Sequence, residues 1–372
     1  MNRVISSLAV GGTLGARARR ASPLQRCGVG AGHARPGALG NKSRGRGTSA
    51  IIRTCRGGSL NHEPAVAVLQ HHHVFSHFRP YTGELPPNCD LDFLGTLVPL
   101  EFMQGLFPLI TYTRKVEKFY VHNDEEYFEW VDLLESVVAA SGTYTMIDLG
   151  AGYGRWSVRA AYAAKQYNPK LRCRLIAVEP EPTVYGWMRK HFSNHGVGRW
   201  RHKLIHAAVS EQTGKVHFYI GGPRGGPFDR PPSAWYGQFL TKDYDLKNPA
   251  KRDGNYAGFN VYLHESGWRS IRVPSISLRT ILKKLDRVDF ITLDIEGQEL
   301  PTLTAAIAGV DAKVKRLHIG THGVEIEAGL RQLLSDHGWR CLADYSLQQT
   351  SETPWGVISF DNGVQSWVNP RL

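Results

Sequence analysis

The first sixty residues hold no aspartate and no glutamate, and elsewhere no apolar run reaches the roughly 18 residues needed to span a bilayer. The short runs exclude a helical anchor in the body of the chain and give the expectation of no stable membrane insertion. The missing acids explain the charge. Residues 1–60 carry ten Arg and one Lys, so they supply +11 of the formal +12 and leave the rest of the 372 residues at +1. A nucleic-acid footprint should appear as a basic groove on the folded surface, which a nearly neutral body does not provide. No nucleic-acid partner is expected. Cysteine is scarce as well: Cys27, Cys55, Cys89, Cys173 and Cys341 make an odd total with no Cys-x-x-Cys pair, which argues against a disulfide scaffold or a zinc site. His71, His72, His73 and His77 read as a solvated loop. No His/Asp/Glu group has metal-ligand spacing, so no required metal is expected.

Residues 1–60 also contain twelve glycines and few large apolar side chains, too little burial to offset chain entropy, and read as a disordered basic extension. An acid-free, Arg- and Ser-bearing start is like an organelle transit peptide. Residues 4–16 faintly resemble a signal-peptide core, and a translated extension without a role is the third reading. The expected location is cytoplasmic, or organellar if this segment acts as a transit peptide. Residues 61–122 form an N-terminal arm with a turn-rich link at 80–87 and apolar pieces at 93–98 and 107–112. The main domain runs over 123–372.

In that domain Asn123 can cap a helix, Asp124, Glu125 and Glu126 suit its first turn, and Tyr127, Val131, Leu134 and Val138 repeat at helical spacing. Further helices are predicted over 155–165, 183–194, 276–285, 300–308 and 325–337. Strands are predicted over 173–178, 204–209, 215–219, 288–293, 316–321, 340–345 and 355–360. The alternation predicts an α/β fold, a Rossmann-like, seven-stranded, mostly parallel sheet with helices on both faces and an antiparallel C-terminal strand. No internal repeat interrupts it. Between 221 and 268 the alternation lapses into a Gly/Pro-rich aromatic stretch with Trp235 and Tyr236, a loop insertion read as a lid or acceptor-binding element.

Met146-Ile147-Asp148-Leu149-Gly150-Ala151-Gly152-Tyr153-Gly154 reads as a buried strand, a glycine turn and a helix start. Glycines there let the backbone turn sharply and approach a ligand, to which the helix offers its free N–H groups. A dinucleotide turn would place its third glycine at Arg155, so the spacing suits S-adenosylmethionine better than NAD. In open α/β sheets ligands sit beyond the carboxyl ends of the strands. Glu179 ends the second strand, where a carboxylate can accept from both ribose hydroxyls, and Ala207 and Ala208 are small enough for an adenine ring to lie against backbone. Asp294, Glu296 and Glu299 follow the fourth strand.

These segments together resemble an FkbM-type methyltransferase: Ile147 to Gly154, Val178-Glu179-Pro180, Ala207-Ala208-Val209-Ser210 with Gly214, and Val288 to Glu299. The Asp-x-Glu-Gly-x-Glu element at Asp294 is the most specific part, and the likeness covers roughly 144–339. It implies S-adenosylmethionine-dependent O-methylation of a hydroxyl on a small molecule, a sugar or polyketide-like natural product. Cofactor contacts are expected from Asp148, Gly150, Gly152, Gly154, Glu179 and Ala208. The sequence departs from the family at Thr292, where Lys is common, at Arg279 and Thr280, where acidic residues are common, and at Gly320, where Glu is common. Deprotonating an alcohol calls for a general base; Asp294 and His322 are the candidates, with Glu296 behind them. His318, inside its strand, is read as structural. Two other readings stand beside this one, an NAD(P)-dependent oxidoreductase and a noncatalytic nucleotide-binding module. The oligomeric state is left open.

Overall fold

The computed structural model describes residues 71–103, 109–116, 121–198, 201–225, 231, 238–248 and 250–372. The expectations for residues 1–60, and for Cys27, Cys55, Phe107, Trp235 and Tyr236, lie outside the described residues.

Seven strands make the central sheet: β1 (Thr143–Leu149), β2 (Arg172–Glu179), β3 (His202–His206), β4 (Phe290–Leu293), β5 (Arg316–Thr321), β6 (Arg340–Tyr345) and β7 (Gly363–Val368). Their order across the sheet is β6-β7-β5-β4-β1-β2-β3. The pairs β1–β2, β2–β3, β1–β4 and β4–β5 are parallel, and β7 runs antiparallel to both β5 and β6. Helices α1 (Glu126–Val138), α2 (Arg155–Tyr167) and α3 (Pro182–Asn194) accompany the first strands, and α4 (Glu299–Lys313) and α5 (Val324–Asp336) the later ones.

The strands are covered on both faces, which is why they read as near-continuous apolar runs. Met146 and Phe290 point to the core shared with Trp130, Leu133, Leu134 and Phe192. Ile147, Leu149, Ile291 and Leu293 point to the opposite core, with Leu303, Val310, Leu330 and Leu334 of α4 and α5. Each such side chain taken fully out of water contributes roughly 1.5–3 kcal/mol relative to exposure. The described arm belongs to the first core: Val74, Phe75, Phe78, Phe93 and Leu94 pack with Tyr127 and Trp130 of α1. Arg159 lies between the rings of Trp130 and Trp156, 4.3 Å from each centroid, and donates to Asp92 of the arm at 2.9 Å.

Five local differences from expectation have physical causes. Asn123 does not cap α1; its amide donates to the Trp355 carbonyl, and Asp124 Oδ1 accepts the Glu126 N–H at 3.1 Å. The strand expected over 204–209 splits at Ala207, whose N–H is taken by the Glu179 carbonyl. Its second part, Ala208–Val209, pairs parallel with Arg269–Ile276 in a separate sheet. The helix expected over 276–285 shortens to Leu278–Leu282, because Ile276 ends that strand and the Ser277 hydroxyl caps Thr280 at 3.3 Å. The insertion is not all loop: Lys251–Tyr256 and Phe259–Leu263 form a hairpin that extends the second sheet through Arg269–Ile276 to Gly214–Ile220. Finally, the antiparallel strand of the main sheet is β7, whereas Gly356–Phe360 pairs with Gln349–Thr353 in a hairpin of its own. Gln365 and Ser366 give β7 a polar centre that conceals its burial from a hydropathy reading.

Candidate functional site

The turn after β1 is tied down by its own backbone: Gly150 and Ala151 both donate to the Val178 carbonyl, at 3.1 and 2.9 Å. Gly150 has φ +80°, and a Cβ there would lie 1.8 Å from the Asp294 carbonyl oxygen, so only glycine lets the turns after β1 and β4 touch. Gly154, at φ +77°, is not in the lining of the hollow described below; a Cβ there would meet Phe192 and Met188 of α3, so a glycine also lets α2 start close against that helix.

Beside this turn lies a hollow of about 430 Å³, within the range of small-molecule sites. Asp148, Gly150, Gly152, Glu179 and Ala208, five of the six residues expected to touch a cofactor, are among its lining. Asp148 Oδ2 accepts from the Ser157 hydroxyl at 2.8 Å and its N–H at 3.2 Å, which fixes the carboxyl against α2. Burial pushes Asp148 up to about 6, although those bonds oppose the shift. Glu179 Oε2 accepts the Gly152 N–H at 2.9 Å and Oε1 the Glu181 N–H at 2.7 Å. One lone pair on each oxygen is thereby used and another is left for a hydroxyl. Burial holds this carboxyl well above the usual carboxylate range. Phe218, Phe239 and Leu240, from the second sheet and the segment leading into Lys242, close the hollow with apolar surface.

Asp294 and Glu296 line the hollow as well, beside the Gly150 turn. The Asp294 side chain is 61 % exposed, opening onto the hollow, and Glu296 sits at φ +51° in the turn before Gly297. His322 does not line the hollow but is drawn to both, with Nε2 3.3 Å from Asp294 Oδ1 and 3.6 Å from Glu296 Oε2. Its Nδ1 is 2.9 Å from Oε1 of the fully buried Glu299. Burial disfavours a charged ring, but the bond to Glu299 and the charges of Asp294 and Glu296 outweigh it and push His322 up to about 10. The three expected catalytic residues are thus brought together. The histidine is the group that holds the carboxylates, because a ring already charged takes up no proton near neutral pH.

Thr292, His318 and Glu129 also line the hollow, although the sequence did not assign them to the site. Asp148, Thr292 and His318 occupy one register row across β1, β4 and β5, and all three line the hollow. Over this row lies Glu129 of α1, which accepts from the Thr292 hydroxyl at 2.5 Å and faces His318 Nε2 at 3.9 Å. Burial pushes Glu129 up to about 8. His318 Nδ1 pairs with Asp132 Oδ2 at 2.8 Å, and Asp132 in turn binds Arg316 at 2.7 Å. The expectation of a structural His318 therefore covers only part of its place. The sequence did carry a signal: each of the three polar residues interrupts a strand apolar on either side. Asp361 to Val364 complete the wall, and Glu125 Oε2 accepts the Asp361 N–H at 2.8 Å, joining α1 to the approach of β7.

A profile described as "Methyltransferase FkbM domain" matches residues 148–341, more than half of the chain. The chain belongs to the FkbM methyltransferase family. A relative from Jannaschia sp. (strain CCS1), also bearing a methyltransferase name, is 22% identical over 296 residues, covering 79% of this chain and 97% of its own. Among solved structures, a methyltransferase FkbM from Methylobacillus flagellatus KT aligns at 14% identity and TM-score 0.36 over 66% of this chain and 56% of its own. A precorrin-6y C5,15-methyltransferase from Geobacter metallireducens GS-15 aligns at 15% identity and TM-score 0.33 over 66% and 89%. The family match begins at Asp148 and includes both carboxylate turns of this FkbM domain. A methyltransferase family leaves the oxidoreductase reading without support.

Proposed function

We propose that this FkbM-family protein is an S-adenosylmethionine-dependent O-methyltransferase acting on a hydroxyl of a small molecule, sugar-like or natural-product-like. The observation that carries the reading is the hollow itself, in which Glu179, with an accepting lone pair on each oxygen, stands across the Gly150 turn from Asp294 and Glu296. The residues fit the donor by their chemistry. Glu179 would accept from the ribose hydroxyls, Ala208 would lie under the adenine, and Asp148 would hold the start of α2 toward the amino-acid end. Bound donor supplies an electrophilic methyl on a sulfonium sulfur. Asp294 and Glu296 place negative charge beside that position, and Phe218, Phe239 and Leu240 exclude water from it.

The acceptor would enter between Asp294 and the wall made by Glu129, Thr292 and Gly320. Asp294, the carboxylate most open to the hollow, is the proton acceptor in this reading, and His322 fixes its position. A positioned base of this kind contributes about 10²–10⁴-fold.

Calorimetry with S-adenosylhomocysteine tests the donor half. Glu179→Ala should weaken binding about ten- to a hundredfold, the cost of losing two buried hydrogen bonds, and absence of binding to the unaltered protein would refute the reading. Transfer of tritium from labelled S-adenosylmethionine to a hydroxyl-bearing panel tests the acceptor half. Transfer to amines alone would overturn O-methylation.

A further inference from the structure

Asp294 follows β4 and His322 follows β5, and because these strands are adjacent the turns after them meet. His322 is buried to nine-tenths, its side chain 10 % exposed. Glu299, which faces Nδ1, is held by the Ile295 and Gly297 N–H groups at 3.2 and 3.0 Å and cannot swing away. A carboxylate only accepts, so Nδ1 carries a hydrogen, and Nε2, once it gives up its own proton, presents the ring's lone pair. That Nε2 is buried without a hydrogen bond, and it is aimed at the carboxylates of Asp294 and Glu296. A bare lone pair facing two anions is repulsive, so a positive charge, a proton or a metal ion, belongs between them.

The three ligand atoms lie within 4.8 Å of one another, and two of the separations are 3.3 and 3.6 Å. Two ligands on one ion with bonds of about 2.1 Å stand about 3.0 Å apart at right angles and about 3.4 Å apart at tetrahedral angles. We infer that Asp294, Glu296 and His322 form a three-ligand site for a divalent first-row transition ion, with Glu299 fixing the tautomer of the ligating ring. The arrangement of carboxylate, imidazole and ion is the one that orients metal-bound histidines generally. Two carboxylates alone would suit Mg2+ or Ca2+, whereas the imidazole nitrogen shifts the preference toward Mn2+, Fe2+ or Zn2+. Three protein ligands leave positions open, and since Asp294 and Glu296 line the hollow, those positions face it. An oxygen of the acceptor can complete the shell. Asp294 and Glu296 come from the turn after β4 and His322 from the turn after β5, so no ligand spacing along the chain marks the site. The ion's task rests on the proposed methyl transfer, but its binding does not.

The competing occupant is a proton on Nε2, which the ion must displace. Among the described residues a second group, His72, His73 and Glu135, can also gather an ion, so the experiment uses the full chain carrying His72→Ala and His73→Ala. After chelator treatment this protein is titrated with Mn2+ alone, followed by electron paramagnetic resonance of the free ion, and with Zn2+ and Mg2+ by calorimetry. One ion per chain is expected, with Zn2+ and Mn2+ tighter than Mg2+. Glu299→Gln should weaken binding about ten- to a hundredfold, and His322→Ala should abolish it, with circular dichroism melts confirming that each variant is folded. Should His322→Ala fail to fold, Asp294→Asn, altered at an open side chain, reads the same loss. No ion uptake, or uptake unchanged in these variants, overturns the site. A protein that takes up the ion yet binds no S-adenosylhomocysteine would support this site and sink the donor reading.

Discussion

At Gly150 two demands coincide, a left-handed backbone and a contact with the Asp294 carbonyl that admits no Cβ. Gly150→Ala carries about 1–2 kcal/mol for the backbone alone, and the clash must also displace the turn holding Asp294. Its affinity for S-adenosylhomocysteine should fall more than about tenfold and its melting temperature should drop; wild-type affinity would show that this turn is not the donor site. Glu129→Gln makes a second residue-level prediction. Burial lifts the folded carboxyl to about 8 from an unfolded value of about 4.3. The native state therefore holds a proton that the unfolded chain releases, and stability is lost as pH rises through that interval. The amide should leave stability at about pH 4 almost unchanged and raise it progressively from about pH 5 to about pH 8; equal melting curves at pH 9 would place Glu129 in solvent. At this scale the sequence disclosed Asp148, Glu179 and Asp294 because strand ends are where an open sheet gathers polar groups. It did not disclose Glu129, which looks like any acid on the first turns of a helix until the sheet beneath it is known.

Among the elements, β1, β2, β4 and β5 were legible because strands covered on both faces have few polar residues and glycine or proline nearby. The strand Ala208–Val209 was not, since nothing in the side-chain pattern marks a backbone leaving one sheet for another. β7 escaped for the opposite reason: Gln365 and Ser366 look solvated but are buried, with Gln365 donating to the Glu327 carbonyl and Ser366 to Asp132. Trp367 of the same strand is buried in the core of α4 and α5. Trp367→Ala should cost about 3–5 kcal/mol in urea unfolding, and a loss below 1 kcal/mol would argue that β7 is not an interior strand.

Across the whole molecule several buried acids shift upward, whereas Asp132 and Glu126 lie below their ordinary values because, against burial, His318 and Arg316 favour the charged form of the first and Arg155 and Arg159 that of the second. Burial raises Asp148 to about 6, Asp124 and Glu181 to about 7 and Glu129 to about 8. Each folded value exceeds its unfolded one, so each contribution is lost as pH rises from about 4 to 8. His191 acts oppositely: burial lowers it to about 3, so its contribution is lost as pH falls below the unfolded value near 6.5. The melting temperature of the ligand-free protein should therefore peak in mildly acidic buffer and decline toward pH 9. A steady rise from pH 6 to 9 would contradict this. The fold class was readable at this scale from the alternation of elements, whereas the pairing of the insertion hairpin with Arg269–Ile276 depends on contacts that no local pattern encodes.

The order of strands carries one more consequence. β7 fills the slot between β5 and β6 although it is made after both, and Asp361 to Val364, on the approach to it, form part of the hollow's wall. A ribosome releasing the chain from its beginning therefore exposes β1 to β5 first, with one side of β5 unpaired and the binding chamber incomplete. During that interval the growing polypeptide is open to edge-to-edge association and has nowhere to lodge a ligand, so chaperone protection matters most before residue 368 has emerged.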